Sequence, residues 1–137
     1  MRSISFVVLA CILVPAAAQA QGPAPRAEVS CAATDRRLVY DCRIELRRAG
    51  APLEGVDVTV GADMPSMPMA HNVKPVPAKA GSKPGEYTAR IELEMTGEWA
   101  LKLRLSGPVR DQVVEHLDFD AKGGRPAKRG GAAPHRH

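Results

Sequence analysis

Three methionines, two prolines and a histidine crowd into Asp63-Met64-Pro65-Ser66-Met67-Pro68-Met69-Ala70-His71, which holds three of the four methionines that follow Met1. Thioether sulfur and neutral imidazole nitrogen are soft donors, and soft donors select Cu(I), or Ag(I), over hard ions such as Ca²⁺ and Mg²⁺. Thioethers do not titrate, so such a set keeps its sulfurs at low pH, whereas His71 must be neutral to bind. They also survive an oxidising compartment better than thiolates do. Pro65 and Pro68 remove two backbone donors and push Met64 and Met67 towards extended or polyproline-like conformations. From a stiff extended loop, Met67, Met69 and His71 could project to one side, and Met64 could join them through the threefold polyproline repeat. The candidate metal ligands are therefore Met64, Met67, Met69 and His71. The competing reading is packing, because methionine fills irregular gaps and Met64 continues the inward parity of Val60 and Ala62.

The elements that must position this loop alternate with period two. Leu38, Tyr40, Cys42, Ile44 and Leu46 fall on one parity while Asp41, Arg43, Glu45 and Arg47 fall on the other, as expected of strands with one buried face. The same alternation marks Val29 and Cys31, Val56 to Val60, Tyr87 to Met95, and Trp99 to Leu105; Asp111 to Phe119 shows it more weakly. A short strand near Val73 to Val76 would be a seventh. With turn signals between these runs and no convincing helix, the pattern predicts an all-β, immunoglobulin-like antiparallel β-sandwich of six or seven strands. Trp99 reads as its aromatic centre, though its ring face could also meet a cation. His116, on the parity opposite Leu117 and Phe119, is expected in solvent.

The ends of the chain set its compartment. Arg2, an apolar run from Ile4 to Val14 too short to span a bilayer, and Ala18-Gln19-Ala20 together read as a cleavable signal peptide over residues 1–20. Residues 21–26 read as a flexible leader, 27–120 as the domain, and 121–137 as a disordered basic tail. His135 and His137 in that tail are a weak metal signal. Residues 21–120 hold all 15 acidic residues and 13 of the 19 Lys and Arg, so the domain carries no nucleic-acid footprint. After cleavage only Cys31 and Cys42 remain, and an even pair in an exported domain points to a disulfide. A turn at Thr34–Arg37 would bring the two cysteines opposite each other; the alternative, a dithiol metal site, needs a reduced pair. No nucleophile and base pairing is visible, so an enzyme is not expected.

These residues give the chain a family likeness. Over about residues 29 to 119 it resembles the YtkA-like or FixH-like exported bacterial β-sandwich domains, chiefly in Ala62 to His71, with Gly85-Glu86-Tyr87 and Gly97-Glu98-Trp99 in support. The resemblance implies a periplasmic or membrane-associated place in metal handling, including copper supply to respiratory oxidases and heavy-metal efflux, with Met64, Met67, Met69 and His71 as the site. FixH-type members keep a transmembrane anchor, and no stable anchor is expected here after cleavage. The expected function is a periplasmic or secreted Cu(I) binder that sequesters or delivers the ion. The alternative is an immunoglobulin-like interaction module, without a metal of its own, that partners a membrane transporter, an efflux adaptor or an oxidase-assembly complex.

Overall fold

The computed structural model describes residues 22–128, so the signal-like segment and the last residues of the tail, His135 and His137 among them, lie outside the described residues. Strands β1 (Arg26–Ala33) and β2 (Val39–Arg48) form the first hairpin. They are followed by β3 (Ala51–Pro52), β4 (Asp57–Asp63), β5 (Asn72–Pro77), β6 (Lys79–Ala80), β7 (Glu86–Glu92), β8 (Gly97–Ser106), β9 (Asp111–Phe119) and β10 (Gly123–Pro126). Hydrogen bonds link them in the order β5-β4-β8-β9-β10-β1-β2-β7-β6, with β3 on β2, and every pairing is antiparallel. Because β5 and β4 also approach β7, the sheet folds back on itself as two packed layers that nearly close.

Period-two alternation explains what lies between those layers. Ile44, Trp99, Leu101 and Leu103 have no exposed surface, and Tyr40, Leu46, Val60, Ile91, Leu117 and Phe119 are almost as deeply buried. Each such side chain stabilises the fold by about 1.5–3 kcal/mol through burial. Polar handles in this core are satisfied locally: the Tyr40 hydroxyl donates to the Asp120 carbonyl at 2.9 Å, and the Tyr87 hydroxyl to the Leu53 carbonyl at 3.0 Å. Cys31 lies opposite Cys42 in register, and the two form a disulfide with Cα atoms 4.0 Å apart. His116 is exposed, as its parity predicts.

The six alternating runs and the strand at Val73–Val76 all form, and β3, β6 and β10 are additional. The first two are only two residues long, too short to carry a pattern. β10 corrects the expected boundary, since residues 123–126 were expected in a disordered tail. Its composition hides it: a Cβ on Gly123 would come within 2.2 Å of the Cys31 carbonyl oxygen, and one on Gly124 within 2.5 Å of the Phe119 ring. Only glycine lets the backbone enter between β1 and β9 at that point. The leader is corrected too, because Pro25 is buried, β1 starts at Arg26, and Arg48 donates to the Pro23 carbonyl at 2.9 Å. Leu38, expected on the inward face of β2, instead sits in the preceding turn at φ 62°.

The turn into β10 carries a pH signature. The Lys122 backbone N–H first, then Arg125 and the Gly123 N–H, hold the Asp120 carboxyl below the usual carboxylate range. A folded-state pKa that is lowered gives stability present above the unfolded value and lost as pH falls through the folded one. In an NMR acid titration, the Asp120 carboxyl carbon should therefore titrate below ordinary aspartates, with the Lys122 and Gly123 amide signals following it. A midpoint at the usual aspartate value would contradict this arrangement.

Candidate metal centre

The methionine loop is the β4–β5 connection, and its ends are fixed by register: Asp63 pairs with Asn72 on one side and with Ala100 of β8 on the other. Asp63 also forms an ion pair with Lys102. Within the loop the backbone makes two successive turns, closed by Met67 N–H to the Met64 carbonyl at 3.0 Å and by Ala70 N–H to the Met67 carbonyl at 3.1 Å. Pro65 and Pro68 occupy the second position of each turn, where their fixed φ is already correct. This corrects the extended, polyproline-like conformation expected from the sequence: the restricted residue before each proline becomes the first residue of a turn, and three-residue proline spacing chains one turn onto the next.

The four predicted ligands consequently occupy different depths. Met64 is buried at 4% exposure, and its methyl group packs against Gly97; it is part of the core, as its parity suggested. Met67 is 37% exposed and Met69 92% exposed. His71 lies between these extremes, with 26% of its side chain exposed. Its Nδ1 is bonded to a carboxylate oxygen of Glu94, and its ring stands edge-on to the Trp99 ring, with centroids 6.4 Å apart. Trp99 is fully buried and its Nε1–H donates to the Met95 carbonyl at 3.1 Å. It therefore forms a wall beside His71 rather than an open face for a cation.

Glu94, which contacts His71, and its neighbour Met95 are residues of this region that sequence reasoning did not single out. They lie between β7 and β8, and because β4 runs antiparallel to β8, the end of β4 and the start of β8 share one end of the sandwich. Met95 shares the inward parity of Tyr87 to Leu93, yet β7 stops at Glu92 and Met95 emerges at 38% exposure. A ring N–H bonded to a carboxylate fixes the tautomer and orientation of a neutral imidazole and leaves the other nitrogen as donor to a metal. With Nδ1 on Glu94, the nitrogen of His71 suited to that role is Nε2.

Among the described residues, no group of three or more His, Cys, Asp or Glu is placed to hold a metal ion. Thioethers beside one oriented imidazole are the donor set this surface offers. A separate cleft of about 550 Å³ is lined by Ser30, Arg43, Glu115 and His116, over Val29 and Leu117. His116 Nδ1 there lies 3.0 Å from a carboxylate oxygen of Glu98.

The model of the YtkA-like family matches residues 32–104, more than half of the chain. The chain belongs to the YtkA-like family. The matched segment of this YtkA-like domain runs from the first hairpin to β8 and so contains the methionine turns, Glu94, Met95 and Trp99. No curated protein and no solved structure matches the chain.

Proposed function

We propose that this YtkA-like domain is an exported, periplasmic Cu(I)-handling protein whose methionine turns take up the ion for sequestration or delivery. The observation that carries the reading is the placement of His71, oriented through Nδ1 by Glu94, beside turns that hold the thioethers of Met67 and Met69 in contact with solvent. Soft donors at an exposed rim suit transfer, because a partner's donors can replace them one at a time. Met64, although on the same loop, serves the core. In an anaerobic Cu(I) titration against bicinchoninate, the purified chain should retain copper, and a variant carrying Met67→Leu, Met69→Leu and His71→Gln together should lose it. Equal retention by the two proteins would remove the proposal.

The second reading, a metal-independent interaction module, is favoured by one feature: Met69 is almost wholly in solvent at the tip of a proline-stiffened loop, and flexible methionine surfaces adapt to protein partners. Capture of a transporter, efflux adaptor or oxidase-assembly protein by copper-free protein, lost on Met69→Asp, would support that reading instead.

A further inference from the structure

β10 fills only part of the seam between β9 and β1. It pairs with β9 at Leu117–Phe119 and with β1 at Cys31 and Ala32, whereas β9 starts at Asp111 and β1 at Arg26. Along the remainder runs the cleft of about 550 Å³, lined by Pro126, where β10 stops, and by the core residues Val29 and Leu117. The chain itself leads into it: after β10, the Ala127 N–H donates to the His116 carbonyl at 2.9 Å, one step on in the register that sets Pro126 against Leu117. In an antiparallel ladder the backbone groups facing one neighbour recur at every second residue, so Val114 and Gln112 turn theirs to the same side as His116. Among the described residues no strand lies against that edge of Val114 or Gln112, and the Gln112 N–H donates instead to the Asp111 carboxylate at 2.8 Å.

Charge and length point to the occupant. Three carboxylates line the cleft, Glu28, Glu45 and Glu115, against one guanidinium, Arg43. The sequence after Ala127 is Lys128-Arg129-Gly130-Gly131-Ala132-Ala133-Pro134-His135-Arg136-His137, with two cations first, small residues next and no acid. Counted in the β10 register, Lys128 meets Glu115, Arg129 meets Val114, and Ala132 meets Asp111, where β9 begins. Pro134, which cannot donate to a ladder, follows just after that point. We infer that the cleft is a strand-addition site whose occupant is this chain's own basic C-terminal segment, continuing β10 along β9 from Lys128 to Ala132. Main-chain hydrogen bonds give the attachment, and the carboxylates give the preference for cations.

The test is NMR on the isotope-labelled chain, on a chain ending at Lys128, and on Arg129→Pro, which lacks the N–H that the Val114 carbonyl would accept. Both changes lie beyond the last strand, and the urea midpoint checks that each protein is folded. The Val114 amide should exchange with solvent at least about tenfold faster in both variants, while that of Val113, on the β8 side, should not change. In the full chain a contact should appear between the α-hydrogens of Gly130 and Val113. A peptide of residues 128–137 added to the shortened chain should restore the Val114 protection, and the same peptide carrying Lys128→Glu and Arg129→Glu should not. Equal Val114 exchange in all three proteins, with no contact between Gly130 and Val113, would overturn the inference. A contact seen only between differently labelled copies in a mixed sample would overturn the choice of occupant, because the tail would then belong to a second chain.

Discussion

Replacing Trp99 with alanine is expected to destabilise the domain by about 3–5 kcal/mol, a large part of the 5–15 kcal/mol that small domains possess. Trp99 is the largest of the fully buried side chains, and truncation removes both its transfer free energy and the atoms that fill the space between the layers. Trp99→Phe should cost much less, since most of the apolar volume remains while the N–H bond to the Met95 carbonyl is lost. A net hydrogen bond contributes about 0.5–1.5 kcal/mol, which sets the scale of its effect apart from the loss of ring area. Urea denaturation followed by far-UV circular dichroism distinguishes the two, because both variants lack the single tryptophan that fluorescence would report. A midpoint for the alanine variant close to wild type would show that the residue is not the centre of the core.

Removing the disulfide through Cys31→Ala and Cys42→Ala should cost about 3 kcal/mol, the loop-closure value for a short crosslinked loop. The cysteines are 11 positions apart and directly opposite in the first hairpin. The bond therefore restricts the unfolded chain while holding the strand pair that carries both β10 and β7 on its flanks. Both sulfurs face the core, so two small side chains are also lost from it. In urea titrations, a phosphine reductant should shift the wild-type midpoint towards that of the double variant and leave the double variant unmoved. A wild-type midpoint insensitive to full reduction would show that the crosslink contributes nothing to equilibrium stability.

Much of this fold is legible in single residues. The alternation from Tyr40 to Leu46 and from Trp99 to Leu105 is enough to place strands with one buried face, and the parity shared by Cys31 and Cys42 anticipates their bond. Short elements are not legible: Ala51–Pro52 and Lys79–Ala80 hold too few residues to show any period, and Gly123-Gly124 has no side chain with which to signal burial. The candidate site was half visible. Methionine density identifies the loop, but proline spacing fits both an extended segment and a chain of turns, and hydrogen bonds decide between them. Glu94 was out of reach for a different reason, since its contact with His71 follows from β4 lying beside β8, a strand order that periodicity does not encode.

The two glycines of β10 have a consequence for how the molecule behaves among copies of itself. Without that four-residue strand the hydrogen-bonded path would break between β9 and β1, leaving two long strands with bare amides able to recruit a stranger's backbone. With it, the path ends instead at β6, which is two residues long, and at β5, where Pro75 and Pro77 cannot donate. A stretch that by composition looks like spacer thus spares the domain from edge-to-edge aggregation.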